Sequence, residues 1–392
     1  MDLDQRIRRR RRRGVDRPIV LDYEPLNPVA HVQEPVGRGP ILERLLDHLD
    51  PVFDGTVPPD VYIWGPPGSG KSAIVTALFD RLRSMTVQPH AVIHTSTRAQ
   101  TVELPTFVYV DARTANSEFQ LYHRVLQAVS SDDVPQQGVS TAELRSRLHD
   151  AVGGGSGVVL AVDHVDEPDS LTAQSLIDWF EPFGRSVSLA LIGRTLQGDV
   201  REEWSGEEIE IPGYGQQVLI DVLMTRGSDA LARDALQHSQ ARQIASWAGG
   251  NAHDALAALF GAADRADAAG VERIRDRDVE AGIEAVPSPC VSLGVVLSLR
   301  ENRQRVLREL LDLDSEERDS VTVTTEAIAA IDDIDLSPGT VKRFLYELAE
   351  RGIVERVSTS RTDGHGRPPS RVEPRFPTLV FRRLYDLQSH RA

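Results

Sequence analysis

Short apolar runs separated by polar turns recur through the first half of the chain. They predict strands at 61–64, 106–110, 157–162, 188–192 and 207–211. Between these runs apolar residues fall at helical spacing, most clearly at 41–49 and 72–85. Strands that alternate with helices favour a parallel sheet covered by helices on both faces, so the fold class predicted for this half is α/β.

The second half of the chain follows a different pattern. Residues 215–287 come after the turn Pro212-Gly213-Tyr214 and predict a helical region that ends near Pro287. The remaining residues predict, in order, helices at 303–313, 326–331 and 337–351, a strand at 353–357, a polar loop at 358–370 and a helix at 378–387. Three helices followed by a strand and a basic loop are the layout of a winged helix, an α+β domain.

These patterns divide the chain into four parts. Residues 1–33, with Arg6 and the arginines at 8–13, are predicted to form a basic flexible arm. An α/β base at 34–211, a helical domain at 212–287 and a winged-helix domain at 288–392 follow it. A length of 392 residues is sufficient for two or three such folding units.

Composition narrows the setting in which the protein works. The formal net charge is −15, and lysine occurs only at Lys71 and Lys342, against an excess of arginine and of acidic residues. Such a balance is typical of a salty cytoplasm, although a GC-rich genome also exchanges lysine for arginine. The single cysteine, Cys290, excludes an internal disulfide, and no apolar run reaches the roughly 20 residues that span a bilayer. We therefore expect a cytoplasmic, salt-adapted protein without a membrane partner.

Residues 65–72 carry a phosphate-binding pattern between the predicted strand 61–64 and the predicted helix 72–85. The pattern G-x-x-x-x-G-K-[ST] is satisfied by Gly65, Pro66, Pro67, Gly68, Ser69, Gly70, Lys71 and Ser72. In such a loop the backbone N–H groups face phosphate oxygens, Lys71 reaches the outer phosphates and Ser72 binds magnesium. A glycine turn that only caps a helix is the alternative, but a lysine-poor chain that keeps lysine here favours phosphate. The sequence therefore predicts ATP or ADP with Mg²⁺.

A second magnesium ligand is expected at the end of a neighbouring strand. The apolar run 157–162 is followed at once by Asp163, which we predict to hold the magnesium shell. Aspartate is also common wherever strands end, so a turn residue without a ligand is the alternative.

With these parts in this order, the chain resembles the archaeal origin-recognition and cell-division-control initiators, a branch of the AAA+ ATPases. The resemblance covers nearly the whole chain, from Leu21 to Asp386. Four segments carry it: Val36-Gly37-Arg38 resembles the adenine-side box, residues 163–166 Walker B, residues 192–196 sensor 1 and residues 250–255 sensor 2. The resemblance implies an AAA+ P-loop base with a helical lid, a terminal winged helix, and further nucleotide contacts from Val36, Gly37, Tyr214 and His253.

Three positions depart from the family pattern. The Walker B glutamate is His164, the sensor 1 polar residue is Leu196 (or Thr195 after a shift by one), and the sensor 2 arginine is His253. An imidazole can act as a base near neutral pH, but a geometry made for a carboxylate favours loss of the base. Arg201 lies where a trans-acting arginine is sometimes found, with an exposed surface arginine as the alternative. We expect nucleotide binding with weak or absent hydrolysis, and whether the chain is an enzyme stays open.

Basic residues near the C-terminus predict an interface with duplex DNA. The helix at 337–351 should bury Val341, Phe344, Leu345 and Leu348. It should also direct Thr340 and Arg343 towards bases, and Ser337 and Lys342 towards phosphates. Three arginines border the Gly/Pro loop as a wing for the minor groove: Arg361, Arg367 and Arg371. Each charge alone would only solvate the surface, but residues 336–392 hold more basic than acidic side chains, which favours DNA.

Three functions follow from these motifs. The first is a replication initiator that is associated with the nucleoid and binds duplex origin DNA. Its further partners would be a replicative helicase or other initiator copies. The second is a nucleotide-responsive transcription or plasmid-maintenance regulator, which the altered catalytic positions favour. The third is an active ATPase of transposition or repair, which the same positions disfavour.

Overall fold

The computed structural model describes residues 18–31, 33–87, 103–130, 133–167, 170–195, 204, 206–331, 334–358 and 370–389. The chain forms two compact units, residues 31–213 and residues 1–30 together with 214–392. The finer division into base, lid and winged helix stays a prediction.

The unit 31–213 is built on a five-stranded parallel sheet. Its strands are β1 (Val61–Trp64), β2 (Thr106–Asp111), β3 (Val158–Val165), β4 (Val187–Gly193) and β5 (Glu207–Glu210). They lie in the order β2-β3-β4-β1-β5. All the predicted strands of this half are present and the α/β fold class is confirmed.

Helices precede and connect these strands. They are α1 (Gly39–His48), α2 (Asp50–Phe53), α3 (Lys71–Val87), α4 (Glu118–Val129), α5 (Thr141–Gly153) and α6 (Ala173–Phe180), with a 3₁₀ turn at Glu181–Ser186. Helices α4, α5 and α6 begin where Ser117, Ser140 and Thr172 each accept a backbone N–H from the first turn. Such caps satisfy N–H groups that have no partner inside the helix, which fixes where each helix starts.

The sheet is buried on both faces. Successive residues of a strand point to opposite sides, so Tyr62 and Leu160 belong to one apolar core while Ile63 and Val159 belong to the other. Burial on both faces explains why these strands are continuous apolar runs instead of alternating ones. The carboxyl ends of the parallel strands consequently meet at one edge, where polar residues follow them.

The second unit is mainly helical. Its helices are α7 (Gln216–Ala230), α8 (His238–Ala248), α9 (Ala252–Ala268), α10 (Asp276–Glu284), α11 (Leu293–Leu297), α12 (Glu301–Asp312), α13 (Val321–Ala329), α14 (Pro338–Glu350) and α15 (Thr378–Ser389). An antiparallel hairpin joins β6 (Val354–Ser358) to β7 (Ser370–Pro374). One apolar cluster extends through this unit, from Ile19 through α9 to Leu384 of α15.

The predicted order of three helices, a strand and a closing helix is present at the C-terminal end, with two differences in detail. Helix α14 begins as predicted, since the Ser337 side chain accepts the N–H of Thr340. Its apolar face is buried as expected, through Val341, Phe344, Leu345 and Leu348. Helix α13 starts at Val321, earlier than the predicted 326, because Ser320 caps it. Strand β7 was not predicted, because residues 370–374 are polar and follow a Gly/Pro stretch.

The predicted flexible arm, residues 1–33, must be shortened. Ile19 and Val20 are buried, and the side chain of Asp267 accepts the N–H of Ile19 at 2.7 Å. Ile19 also accepts the N–H of Ala232 at 2.8 Å, and Tyr23 donates to Asp264 at 2.8 Å. The apolar residues of this segment are interrupted by Pro25 and Pro28 and follow neither a helical nor a strand period, so no local pattern predicts this packing. Arg6 and the arginines at 8–13 lie outside the described residues.

Candidate nucleotide site and nucleic-acid interface

The phosphate loop runs from the end of β1 into α3, and its glycines are required by its geometry. Gly65, Gly68 and Gly70 all have positive φ, at 156°, 69° and 84°. A methyl group on Gly65 would lie 2.0 Å from the carbonyl oxygen of Ile211. Only glycine fits such a conformation and such a close backbone approach. The loop therefore has the backbone shape that a phosphate cradle needs.

Lys71, the first residue of α3, folds back onto the loop. Its Nζ donates to the carbonyl oxygens of Gly65 at 2.7 Å and Pro66 at 2.9 Å. Burial lowers the pKa of Lys71 to about 8, and the nearby carboxylates of Asp163 and Glu167 oppose that shift. An ammonium group held by weak neutral acceptors in a partly buried loop is well placed to bind an anion.

Arg38 supports the loop from behind. Its side chain is buried, and it donates to the carbonyl oxygen of Ser69 at 2.5 Å. Ser69 is itself fully buried. Arg38 belongs to the segment that resembles the adenine-side box. In the same segment Val36 is half-buried and Gly37 has a φ of 69°. The box therefore contacts the phosphate loop through its arginine.

Asp163 lies near the carboxyl end of β3 and is 2% exposed. Its carboxylate accepts from the Tyr109 hydroxyl at 2.6 Å and from the N–H of His164 at 2.7 Å. Burial, followed by the charge of Asp163, raises the pKa of Tyr109, so the phenol stays a donor. The carboxylate of Asp163 and the half-buried hydroxyl of Ser72 are oxygen donors of the kind that Mg²⁺ prefers. These residues and the glycine-rich loop fit a magnesium nucleotide.

His164 lies at an irregularity near the end of β3, directly after Asp163. Its φ is +64°, and the pairing of β3 with β4 is interrupted between Asp163 and Val165. Its Nδ1 lies 3.0 Å from Oε1 of Glu167. Burial alone would lower the pKa of His164, but Asp163 and Glu167 outweigh burial and raise it. The imidazole is therefore part of an ion-pair network at the position where a glutamate was expected.

Glu167 and Arg194 form a bidentate pair that the sequence did not predict. Arg194 Nε lies 2.9 Å from Oε1 of Glu167, and Nη2 lies 3.0 Å from Oε2. Burial alone would raise the pKa of Glu167, but the His164 hydrogen bond and Arg194 outweigh it and lower that pKa to about 2. A carboxylate so strongly ionised and so fully paired is a poor general base.

The turn 164–167 is held in place from β1. The Tyr62 hydroxyl donates to Oδ2 of Asp166 at 2.9 Å, and Oδ1 of Asp166 accepts the N–H of Ala173 at 3.1 Å. Asp166 also has a positive φ, of 58°. Tyr62 passes so close to Gly193 that a methyl group there would lie 2.1 Å from its hydroxyl oxygen. These contacts fix the backbone on which His164 and Glu167 stand.

The other residues predicted for the nucleotide site lie outside the described residues, are exposed, or make contacts within the second unit. Leu196 and Arg201 lie outside the described residues, and Thr195 is exposed. In the second unit, Nδ1 of His253 lies 2.8 Å from Asp254, and Nε2 accepts the N–H of Leu293 at 2.9 Å. The backbone N–H of Tyr214 donates to the carbonyl of Gly250 at 2.9 Å. Both ring nitrogens of His253 are thus engaged within its own unit.

The predicted DNA-binding residues are divided between a helix and a strand. On α14, Lys342 and Arg343 are exposed, Thr340 is half-buried, and the hydroxyls of Ser337 and Thr340 lie 3.0 Å apart. Arg371 lies on β7 and not in a loop, and its guanidinium pairs with Glu373 at 2.6 Å. Its position is a correction, because the loop was predicted to extend to residue 370 and to be bordered by this arginine. Arg361 and Arg367 lie outside the described residues.

Tyr346 on α14 was missed by the sequence analysis. Arg356 of β6 lies over its ring, with the guanidinium carbon 4.7 Å from the ring centre. The same exposed surface is lined by Gly339, Lys342, Arg343, Tyr346, Glu347 and Glu350. An aromatic ring among exposed arginines is suited to nucleic acid, and its signal was its place one turn beyond Lys342.

Comparisons with known proteins show what the chain is similar to. A family model described as an AAA ATPase domain matches residues 34–192. The chain is 25% identical over 371 residues to ORC1-type DNA replication protein 5 of Halobacterium salinarum, covering 84% of this chain and 82% of the relative. It is 24% identical over 349 residues to the ORC1-type DNA replication protein of Thermococcus onnurineus, with 82% and 80% covered.

Solved structures show the same fold. The ORC1 protein of Aeropyrum pernix, solved in complex with DNA, has a TM-score of 0.61 and 22% identity, with 95% of this chain and 97% of that chain covered. Cdc6p of Pyrobaculum aerophilum has a TM-score of 0.55 and 16% identity, with 94% and 99% covered. Within the described ranges, none of the helices has the length and apolar character that crossing a bilayer requires.

Proposed function

Because the chain belongs to the archaeal origin-recognition and cell-division-control family of AAA+ proteins, we propose that it is an ATP-binding replication initiator that hydrolyses ATP weakly or not at all. It binds duplex origin DNA through its AAA+ base and its winged helix. The presence of bound nucleotide, and not its hydrolysis, controls DNA binding. The observation that carries the proposal is the intact phosphate loop beside an altered Walker B turn.

Nucleotide binding rests on the loop at 65–72. Its glycines are enforced by geometry, and Lys71 is held by carbonyl groups that a phosphate can replace. In this proposal Ser72 and Asp163 hold Mg²⁺, which neutralises phosphate charge when it is bound. Val36 and Gly37 contact the base side of the nucleotide.

Weak turnover rests on the turn at 163–167. The residue expected to polarise water is His164, and the next carboxylate, Glu167, is fully engaged by His164 and Arg194. Removal of a general base slows a reaction by roughly 10²–10⁴-fold. Binding and hydrolysis are consequently affected to different extents.

DNA binding rests on the winged helix at 288–392. Lys342 and Arg343 are exposed on α14, in the helix that such domains place in the major groove. A relative of this fold was solved in complex with DNA. Phosphate contacts weaken steeply with salt, so binding in a salty cytoplasm depends mainly on base contacts and DNA shape. In this proposal the protein is associated with the nucleoid. Its further partners are a replicative helicase or other copies of the initiator.

The two lysines of the chain provide the test. Full-length wild type, Lys71→Ala and Lys342→Ala are titrated in high salt with Mg²⁺-ATP and, separately, with duplex origin DNA. Lys71→Ala should weaken ATP binding by roughly tenfold or more, the size of one or more charge-assisted hydrogen bonds, and leave DNA binding without nucleotide unchanged. Lys342→Ala should do the reverse. If the wild type binds neither ligand, the proposal is wrong.

A further inference from the structure

The register of the sheet places Arg194 beside the phosphate loop. Strands β1 and β4 pair in parallel, with Trp64 opposite Gly193. Gly65 and Arg194 are therefore the first residues beyond the paired ends of two neighbouring strands. Both residues therefore lie at the same edge of the sheet, on neighbouring strands.

Arg194 is held at this edge by one carboxylate. Glu167 receives both arms of the guanidinium, at 2.9 Å and 3.0 Å. The two partners differ in exposure, since the side chain of Glu167 is 9% exposed and that of Arg194 is 42% exposed. A planar guanidinium fork binds a phosphate group in the same bidentate manner as a carboxylate. The exposed partner can thus exchange its ligand while the buried one stays.

The backbone that carries Glu167 is fixed. Asp166 is held by the Tyr62 hydroxyl and by the N–H of Ala173, and His164 bonds to Glu167 itself. Gly193, the residue before Arg194, is confined by the Tyr62 hydroxyl. The long side chain of Arg194 is the part of this arrangement that can move. Glu167 would keep His164 as a partner after Arg194 leaves.

We propose that Arg194 recognises the terminal phosphate of bound ATP in cis, and that Glu167 competes with this phosphate for the guanidinium. This inference rests on the proposed nucleotide binding and names the residue that distinguishes ATP from ADP. It assigns that task to Arg194, because the two residues that follow it, Thr195 and Leu196, carry no charge. Without a terminal phosphate, Arg194 stays with Glu167; with one, it turns to the phosphate.

The experiment measures the affinities of the full-length protein for ATP and for ADP, each with Mg²⁺, by isothermal titration in high salt. Arg194→Ala should weaken ATP binding by roughly tenfold, the size of a charge-assisted hydrogen bond, and leave ADP binding nearly unchanged. Glu167→Gln should act in the opposite direction and tighten ATP binding relative to ADP, because the competitor loses its charge. Arg194→Lys should recover only part of the preference, since the fork is lost.

A matched ion pair serves as control. Arg147 pairs with Glu143 on an exposed face of α5, so Arg147→Ala should change neither affinity. Thermal unfolding of each variant shows whether it is folded, and Arg194→Gln replaces Arg194→Ala if the latter unfolds early. Equal losses of ATP and ADP affinity in Arg194→Ala, no loss at all, or weaker ATP preference in Glu167→Gln would each overturn the inference. If the wild type binds neither nucleotide, the proposed function fails instead.

Discussion

The phosphate loop at 65–72 and the acidic turn at 163–167 follow strands of the same parallel sheet, yet their chemistry differs. The loop keeps each position of its pattern, and its shape comes from glycine backbone that no other residue can adopt. The turn keeps Asp163 but has His164 in place of the expected glutamate, inside a network of side-chain pairs. A cradle made of backbone can persist while catalytic side chains change, so binding and turnover are separable in this chain.

The largest effect is expected where the loop geometry itself is broken. In Gly65→Ala a methyl group would lie 2.0 Å from the Ile211 carbonyl oxygen at a φ of +156°. We expect ATP binding to be lost and the free energy of unfolding to fall by about 2 kcal/mol or more, measured by titration and denaturant unfolding. Gly39→Ala is the control, because nothing lies within 4 Å of a methyl group there. Normal ATP binding by Gly65→Ala would remove the contrast between loop and turn.

A restored carboxylate should show whether the turn limits turnover. His164→Glu is expected to raise the rate of phosphate release by about 100-fold, as a positioned general base does, while ATP affinity stays nearly unchanged. His164→Gln, which offers no base, should remain slow. The rate is measured with ATP in excess over protein. An unchanged rate in His164→Glu, or an equal rise in His164→Gln, would show that another step limits turnover.

Substitution of His253, the third altered position, tests whether this residue binds nucleotide or stabilises its own unit. Its ring accepts the N–H of Leu293 and contacts Asp254. His253→Ala should lower the free energy of unfolding by about 1–2 kcal/mol, because a buried donor loses its acceptor. His238→Ala, at an exposed position, should cost little. A large loss of ATP affinity without loss of stability would instead make His253 a nucleotide ligand.

The smallest effect is expected from the support of the turn. Tyr62→Phe removes the hydroxyl that donates to Asp166 at 2.9 Å and should cost about 1 kcal/mol of stability. Loosening the turn should also raise the exchange of the Asp166 amide with solvent, which hydrogen exchange detects. Tyr346→Phe, in the other unit, is the control. Unchanged exchange in Tyr62→Phe would mean that the turn is held by its other contacts alone.

Local sequence patterns were sufficient to predict the elements whose structure depends only on neighbouring residues. The strand at 61–64, the loop at 65–72 and the start of α14 at Ser337 each depend on neighbours within a few residues, and each was predicted. The fold class followed from the alternation of strands and helices. The assignment of Asp163 to the edge near Lys71 also followed, because parallel strands end on one side of their sheet.

Contacts between distant residues were not predictable in this way. Glu167 and Arg194 meet because β3 and β4 are neighbours, and nothing in either short segment states that order. The packing of Ile19 within the second unit depends on Asp267 and Ala232, far along the chain. Strand β7 needs β6 as its partner, since its own residues are mostly polar. In each case the missing information was the tertiary partner.

The packing of residues 18–30 has a consequence for how the protein is made. These residues belong to the same unit as 214–392, while the whole of 31–213 lies between them in the chain. During synthesis Ile19 and Val20 leave the ribosome long before Asp267, Ala232 and the helices that bury them. Their apolar side chains must stay exposed through the folding of an entire inserted unit, a period in which aggregation competes with folding. A solubilising N-terminal fusion should therefore improve the yield of folded protein more than the same fusion at the C-terminus.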